Sequence, residues 1–305
     1  RELPSVDATT GAAVALPGDP SAGGLVLLEP GELPSALTGV DVVFPILHGP
    51  YGEDGTVQGL LELAGLPYVG SGVLASAVSM DKEFMKLVLA ARGFAVGPYV
   101  VVRDADWRRT PDEFLDAIDR LGYPVFVKPA RGVSSVGISQ VTGRDDLAAA
   151  IELARAADPK VIVEARLSGR EVECAVLDGV AGARPEASLP AEIHLGEGFE
   201  FYDFEAKYLP DTGTSFDIPA KLDDEQTAQI QRLAVDAFVG LDCAGLARVD
   251  FFVTDDRIVV NEVNTMPGFT PTSMYPQMWA ATGIAYPELV DRLVRIAVEK
   301  GTGLR

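Results

Sequence analysis

The sequence of 305 residues has little cysteine and no long apolar run. Its two cysteines, Cys174 and Cys243, form neither a CxxC motif nor a disulfide framework, which is typical of proteins from a reducing compartment. The sequence contains no run of about 18 apolar residues and therefore predicts no membrane span. The first twenty residues contain neither an initiator Met nor the apolar core of a signal peptide. We expect a cytoplasmic protein whose sequence begins inside a longer chain.

Basic residues are scarce as well. The chain has 25 lysines and arginines against 45 aspartates and glutamates, which gives a net charge of −20. Nucleic acids and anionic membranes attract proteins with a basic face, so neither is expected as a partner. An anionic substrate would have to be bound by a few local cations, and lysines or arginines in apolar or Gly-rich surroundings are therefore informative.

Strand and helix patterns divide the chain into three regions. Residues 1–93 alternate strand, turn and helix, with a buried strand over 40–49, which indicates an open α/β sheet. Residues 94–169 have the pattern of a compact unit of strands and two helices. Residues 170–305 combine more antiparallel strands with a long helix, a hairpin and a closing amphipathic helix. The sequence thus predicts a mixed α/β and α+β protein of three domains.

The clearest chemistry lies in RVDFFVTDDRIVVNEVN, residues 248–264. A three-residue turn at its tip would place Asp250 opposite Glu262 on one face of a hairpin. The same register would place Arg248 opposite Asn264. Opposed carboxylates destabilise a sheet unless a cation lies between them, and apolar neighbours raise that cost. Carboxylate and amide oxygens suit Mg²⁺, so the segment predicts a magnesium site shared with phosphates. A solvated edge hairpin is the alternative.

A second informative stretch is FVKPARGVSSVGIS, residues 126–139, in which Lys128 precedes a Ser- and Gly-rich segment. In a P-loop the glycines precede the lysine and a helix follows. Here the lysine comes first and the next segment has a strand pattern, so the stretch is not a P-loop. Two alternatives stay open at this point. The stretch could close over phosphates with its backbone N–H groups, or it could be a flexible hairpin tip beside an extended lysine.

Three further segments have possible roles. HGPYGEDG follows a strand end, where ligands bind in open α/β sheets, so His48 could face a crevice, although a lone histidine is more often structural. EARLSGRE could hold a nucleotide base near Arg166 and Leu167, with Glu171 near the ribose, or be a plain strand–turn–strand. EFYDFEAKYL, residues 200–209, could be a lid or a core-packing loop.

Taken together, these segments resemble the D-alanine–D-alanine ligases of the ATP-grasp superfamily. The motifs that carry the resemblance are, in order, HGPYGEDG, SMDK, FVKPARGVSSVG, VIVEARLSGRE, YDFEAKY, LARVDFF, NEVNTMPGFT and TSMYP, all between residues 48 and 276. Each motif alone has low specificity for the family, whereas all eight in this order are highly specific. The resemblance implies a three-domain ATP-grasp fold and the conversion of two D-alanines and ATP to D-alanyl-D-alanine, ADP and phosphate. The dipeptide would serve peptidoglycan synthesis in the cytoplasm.

The resemblance also implies roles for individual residues. The set expected to bind ATP is Lys82, Lys128, Ser135, Glu164, Arg166, Leu167, Glu171, Phe201 and Lys207. The set expected around the reacting groups is Arg248, Ser134, Tyr208 and His48. The set expected to bind the second substrate is Gly268, Ser273 and Met274. A pair of Mg²⁺ ions, or Mn²⁺ in their place, would be held by Asp250, Glu262 and Asn264. A homodimer is expected, since dimers are common in such ligases.

Two alternatives to a D-alanyl-D-alanine-forming enzyme remain: a ligase with another second substrate, and a homologue without activity. A D-alanine–D-lactate type ligase is one alternative, although Lys207 and Tyr208 favour the dipeptide-forming kind. A catalytically silent nucleotide-binding homologue is another, but the metal and phosphate residues are present. The family also begins with a strand and a Gly/Ser loop whose Glu binds the ammonium of the first substrate. No such segment precedes Arg1, so that role is given to no residue here.

Overall fold

The computed structural model describes residues 13–16, 25–29, 31–37, 39–132, 137–194 and 215–303. Within these ranges the chain forms three antiparallel sheets. None of the helices described there is long and apolar enough to cross a bilayer.

The N-terminal region combines a small sheet with three helices. Its strands form a meander: β1 (Ala13–Ala15), β2 (Leu25–Leu28) and β3 (Ser35–Leu37). Its helices are α1 (Thr56–Leu63), α2 (Val73–Met80) and α3 (Lys82–Ala91). The continuous strand predicted over residues 40–49 is wrong. Within that stretch only Val43 pairs, in an isolated parallel bridge with Tyr68. Pro45 has no N–H for a ladder, and the Leu47 N–H turns back to the Pro45 carbonyl, so the segment leaves the sheet.

Helix α3 begins directly after Asp81, which is its N-cap residue. The Asp81 carboxylate accepts hydrogen bonds from the backbone N–H groups of Glu83 and Phe84, which satisfies donors that have no partner inside the helix. Met85 and Leu89 on its inner face are buried in the core beneath the C-terminal sheet. This packing holds the helix against that sheet, although it lies within the first predicted domain.

The central sheet has the strand order β4-β7-β5-β6. Its strands are β4 (Tyr99–Arg103), β5 (Val125–Pro129), β6 (Ser139–Val141) and β7 (Lys160–Ala165). Helices α4 (Asp104–Arg109), α5 (Pro111–Asp119) and α6 (Arg144–Ala157) accompany it. Apolar residues at alternate positions, such as Val127 and Val163, share a core with Leu147 and Ile151 of α6. The alternation therefore leaves Lys128 and its neighbours on the other face of the sheet.

The C-terminal sheet has the order β11-β10-β8-β12-β13, with β9 also beside β8. Its strands are β8 (Arg170–Leu177), β9 (Glu186–Ala187), β10 (Ala191–His194), β11 (Ser215–Asp217), β12 (Leu246–Val253) and β13 (Ile258–Asn264). Helix α7 (Asp224–Gly240) packs on one face through residues such as Phe238. Helices α8 (Met274–Thr282) and α9 (Tyr286–Lys300) form a second core with Leu246. Both free cysteines are buried in the α7 core, as small apolar groups would be.

Candidate active site

The hairpin of β12 and β13 has the predicted register at its functional end. Asp250 pairs with Glu262, and Arg248 pairs with Asn264. Alternation places these four side chains on one face of the sheet, while Val249 and its alternate neighbours enter the core. The predicted carboxylate pair is therefore confirmed.

The tip of this hairpin differs from the prediction. Val253 pairs with Ile258, and the Thr254 N–H donates to the Arg257 carbonyl across a turn tighter than the predicted one. The register then shifts by one residue next to Asp250, as in a β-bulge. The predicted three-residue turn is wrong, but the bulge restores the register that this turn would have produced.

A third carboxylate extends the pair into a row across three strands. Glu173 on β8 pairs with Asp250, which in turn pairs with Glu262. Glu173 is almost fully buried, with 2% of its side chain exposed, and sequence reasoning missed it. The alternation of β8 contained the signal, since Glu171 and Glu173 share a face. Such a row concentrates negative charge and requires nearby cations.

Arg248 is the cation at the centre of this row. Its Nε and Nη2 donate to the two carboxylate oxygens of Asp250 at 2.7 and 2.8 Å. Its Nη2 also lies 3.3 Å from Oε1 of Glu173, and the Asn264 amide donates to Asp250 at 3.0 Å. Burial opposes the charge of Arg248, but Asp250 and Glu173 outweigh it and raise the pKa of the guanidinium above its usual range. Arg248 is therefore a permanent, oriented cation.

Three lysines lie beside the carboxylate row. Lys82 donates to the Gly132 carbonyl at 2.9 Å, and its Nζ lies 3.9 Å from Oε2 of Glu262. Lys128 on β5 lies 2.7 Å from Oε2 of Glu164 on β7. Oε1 of the same carboxylate lies 2.8 Å from Nζ of Lys86, a residue that sequence reasoning missed. Two cations thus share one buried carboxylate.

The shared carboxylate is held in its ionised form. Burial alone would raise the pKa of Glu164, but the adjacent Lys128 and Lys86 lower it far below the ordinary value. Burial likewise opposes the charge of Lys128, and Glu164 reverses that effect and raises the pKa of the ammonium. Glu164 and Lys128 are therefore both charged across the physiological pH range.

Two aromatic residues lie beside Glu164 on the central sheet. Tyr99 on β4 and Phe126 on β5 are the direct cross-strand neighbours of Glu164, so two rings flank its carboxylate. The predicted base-binding residues Arg166 and Leu167 lie in the turn between β7 and β8, which joins the central sheet to the C-terminal sheet. Glu171, at the start of β8, acts electrostatically on Lys128. Among the predicted nucleotide residues, Lys128 therefore contacts Glu164, and Glu171 is near enough to act on Lys128.

The HGPYGEDG segment is tied to the chain beyond β13. The Nδ1–H of His48 donates to the Met266 carbonyl at 3.1 Å, because a carbonyl only accepts. The buried Glu53, which sequence reasoning did not select, accepts from the Gly49 N–H at 2.6 Å. Burial raises the pKa of Glu53, although the N–H groups of Gly49 and Met266 oppose it. A small cavity between this segment and β13 is lined by residues that include Glu53, Lys82, Glu262 and Asn264.

The predicted residues of the second-substrate site lie just before α8. Ser273 is the N-cap residue of this helix, and its hydroxyl accepts from the Thr270 N–H at 3.0 Å. A Cβ on Gly268 would lie 3.1 Å from the Ser273 hydroxyl, so the backbone passes close to it. The Met274 side chain is buried in the α8–α9 core, which leaves its backbone N–H for any contact with a substrate.

Five of the predicted site residues lie outside the described residues and stay predictions: Ser134, Ser135, Phe201, Lys207 and Tyr208.

The described residues also bring one further group of possible metal ligands together: Glu192, His194 and Asp217. Arg170 donates to both oxygens of Glu192 at 2.6 and 2.5 Å, and Lys221 lies 2.8 Å from Asp217. These two cations neutralise the two carboxylates, so the group needs no metal for its charge balance.

The central sheet with its inward lysine, joined to a sheet that presents a row of carboxylates, defines the ATP-grasp class of ligases. The chain matches the family model "D-ala D-ala ligase C-terminus" over residues 88–295 and "D-ala D-ala ligase N-terminus" over residues 12–71. It is 58% identical to the D-alanine–D-alanine ligase of Mycobacterium sp. (strain KMS) over 308 residues, which cover 99% of this chain and 81% of that protein. The chain therefore belongs to the D-alanine–D-alanine ligase family.

Solved structures agree with this assignment. The D-alanine–D-alanine ligase from Coxiella burnetii is similar with a TM-score of 0.78 and 37% identity, over 95% of this chain and 75% of that one. The VanG D-Ala:D-Ser ligase from Enterococcus faecalis has a TM-score of 0.81 and 39% identity, over 94% of this chain and 79% of that one. The Bacillus anthracis D-alanine–D-alanine ligase complexed with ATP has a TM-score of 0.72 and 31% identity, over 85% of this chain and 80% of that one.

The shared carboxylate predicts a specific pH dependence of stability. Because the folded-state pKa of Glu164 is lowered, its contribution is complete above its unfolded pKa, near 4.5, and is lost as pH falls below that value. Glu164→Gln should lower the free energy of unfolding by about 3–5 kcal/mol at neutral pH, since it leaves two buried lysines without their anion. This difference should shrink by about 1.4 kcal/mol per pH unit below 4.5.

Urea unfolding of both proteins between pH 3 and 7 measures this difference. Glu113→Gln, at an exposed position on α5, is the matched control and should show almost no difference at any pH. A difference between wild type and Glu164→Gln that stays constant down to pH 3 would contradict the lowered pKa.

Proposed function

We propose that this chain joins two molecules of D-alanine into D-alanyl-D-alanine while ATP is converted to ADP and phosphate. The observation that carries the proposal is the row of Glu173, Asp250 and Glu262 beside Lys82 and Lys128. Such a row suits a cation, and the lysines suit the phosphates that would share it. The membership of the chain in the ligase family supports the same reaction. The dipeptide would enter peptidoglycan synthesis in the cytoplasm.

The metal would be held by Asp250, Glu262 and Asn264. All three present oxygen donors on one face of the hairpin, which fits Mg²⁺ and the chemically similar Mn²⁺. When bound there, the metal would offset negative charge on the phosphates and polarise the transferred phosphoryl group. Arg248 now pairs with Asp250 and would keep this carboxylate oriented.

The nucleotide would lie over the aromatic face of the central sheet. Adenine would stack near Tyr99 and Phe126, with Glu164 as an acceptor for its exocyclic amine and Arg166 and Leu167 at its edge. The ribose would meet Glu171, and the phosphates would meet Lys82 and Lys128, with Lys207 and the Ser134–Ser135 segment assigned by resemblance.

The reaction would proceed in two displacements. A carboxylate oxygen of the first D-alanine attacks the γ-phosphorus of ATP, and the bond from this phosphorus to the β–γ bridging oxygen breaks. ADP departs, and the first D-alanine becomes an acyl phosphate. The amine of the second D-alanine then attacks the acyl carbon, and phosphate leaves as the amine loses a proton. Lys82 and Lys128 would offset the charge of the first step, and Arg248 with the backbone N–H of Gly268 would stabilise the oxyanion of the second.

The substrates would occupy the space between His48 and α8. His48, Ser134 and Tyr208 would lie near the first D-alanine, and the Ser273 hydroxyl with the backbone N–H of Met274 would bind the carboxylate of the second. His48 is held by the Met266 carbonyl just after β13, so the proposed first subsite would adjoin the proposed metal residues.

A second candidate function is ligation of D-alanine to another acceptor. The VanG D-Ala:D-Ser ligase shares 39% identity with this chain, so the fold itself accommodates a different second substrate. D-Lactate is the other acceptor to consider. The Lys207–Tyr208 sequence of the proposed lid favours an amine acceptor over a hydroxyl acceptor.

We also propose that the chain forms a homodimer. The N-terminal helices and the preceding segment expose several large apolar side chains, which a second copy would cover: Ile46, Leu47, Leu60, Leu63 and Leu74.

Phosphate release tests the reaction and its acceptor. With Mg·ATP, the protein should release phosphate when D-alanine is added and should form D-alanyl-D-alanine, identified by mass spectrometry. D-Serine or D-lactate added with D-alanine should not compete effectively for the second position. Release that requires D-lactate or D-serine would overturn the dipeptide assignment, and no nucleotide turnover with any of them would favour the silent homologue.

Substitution in the carboxylate row tests the metal site. Glu262→Gln should lower kcat by about 100-fold or more, because it removes a proposed metal ligand. Asp255→Asn is the matched control, since it removes one negative charge from the exposed turn of the same hairpin and should leave kcat unchanged. Binding of Mn²⁺ with ATP, followed by electron paramagnetic resonance, should weaken in Glu262→Gln alone. Undiminished turnover and Mn²⁺ binding in that variant would refute the site.

Light scattering tests the homodimer. The protein should have the mass of two chains, and replacement of Leu63 and Leu74 by Glu should shift it to one chain, because charge on an apolar interface opposes association. Replacement of the exposed Leu153 on α6 by Glu is the control and should leave the mass unchanged. A wild-type protein with the mass of one chain would exclude the dimer.

A further inference from the structure

Lys86 is a buried charge to which the proposed reaction assigns no role. Only 2% of its side chain is exposed, and its Nζ lies 2.8 Å from Oε1 of Glu164. The other oxygen of this carboxylate lies 2.7 Å from Nζ of Lys128. A buried lysine loses most of its hydration, so its presence requires a compensating anion and a reason to be there.

The two lysines are not equivalent. Lys128 is more exposed than Lys86, with 19% of its side chain accessible, and it senses the field of Glu262 and Glu171 on the C-terminal sheet. It therefore stands between Glu164 and the proposed phosphate site. Lys86 lies on the inner side of α3, one turn after Lys82, where it faces Glu164 and the Tyr99 ring, 6.0 Å from the ring centroid.

Recruitment of Lys128 by phosphates would have a consequence for Glu164. A buried carboxylate that loses its only cation is strongly destabilised, or it takes up a proton. With Lys86 in place, Glu164 keeps one cation at hydrogen-bonding distance after Lys128 turns away. The carboxylate then stays ionised and remains an acceptor for an adenine amine.

We propose that Lys86 is a positioning residue that holds Glu164 while Lys128 transfers from that carboxylate to the phosphates of a bound nucleoside triphosphate. The proposal rests on the nucleotide site described under the proposed function. It assigns Lys82 and Lys86 on one helix to two ends of the same ligand, one at the phosphates and one beneath the base.

The groups that surround Glu164 determine what an experiment would detect. Lys128 faces it from β5, Lys86 from α3 and the Tyr99 hydroxyl from β4, while Glu83 acts on Tyr99 from α3. Burial, together with Glu83 and Glu164, raises the pKa of Tyr99, so this phenol stays protonated near neutral pH. Proton uptake that disappears with Glu164 is therefore uptake by Glu164 itself.

Calorimetric titration of the full chain with Mg·ATP, repeated in buffers of different ionisation enthalpy, measures affinity and proton uptake together. In Lys86→Met the dissociation constant should rise about tenfold or more, and binding should take up as much as one proton more than in wild type. Lys86→Arg should restore the wild-type proton count. Lys160→Met is the matched control, since it removes a lysine that pairs with Asp81 and Glu83 instead, and its proton count should not change.

A double-variant cycle separates positioning from folding. In Glu164→Gln, the further change Lys86→Met should alter neither the proton count nor the dissociation constant by more than about twofold. The proposal is overturned if Lys86→Met has the wild-type affinity and proton count, or if its loss of affinity is equally large in the Glu164→Gln background. Should Lys86→Met not fold, Lys86→Gln replaces it, because this variant keeps a donor without the charge. Wild-type protein that fails to bind Mg·ATP would instead refute the proposed function.

Discussion

The repulsion among carboxylates on three adjacent strands is the constraint on which the rest of the structure depends. Glu173, Asp250 and Glu262 occupy one row of the C-terminal sheet, where like charges destabilise strand pairing. Two cations offset this repulsion: Arg248, which binds Asp250 at the centre of the row, and Lys82 on α3, which lies near Glu262. The bulge beside Asp250 keeps the row in register, so a local irregularity of the hairpin maintains the alignment of the site.

Helix α3 positions Lys82, one of the cations that offset the charge of that row. Its start is fixed by the Asp81 cap, and its inner face is fixed because Met85 packs in the core and receives the Val263 N–H at its sulfur, 3.3 Å away. Lys82 and Lys86, one turn apart, therefore have fixed positions relative to both sheets. A single short helix thus couples the carboxylate row to the buried Glu164.

How much of this arrangement follows from the sequence depends on the distance over which residues interact. The pairing of Asp250 with Glu262 follows from alternation within one hairpin, which is a local property. Lys86 could not be recognised, because its partner Glu164 is 78 residues away and a lysine on an amphipathic helix normally faces solvent. Alternation along β8 indicates which face Glu173 occupies, but its position beside Asp250 depends on the pairing of β8 with β12, which the sequence alone does not reveal. The irregular path after Pro45 overrode an apolar pattern that is otherwise typical of a strand.

The distribution of charge across the site explains how a strongly acidic protein would hold an anionic substrate. Around the carboxylate row, three acids face Arg248 and Lys82, so that end is negative by one charge. Around Glu164, two lysines face one acid, so that end is positive by one charge. In a metal–nucleotide complex the cation lies on the phosphates, away from the base. A metal bound at the row would offset its excess negative charge, and phosphates near Lys128 would meet a positive charge. Exposed charges beyond about 10 Å are screened, so the net charge of −20 would not prevent binding.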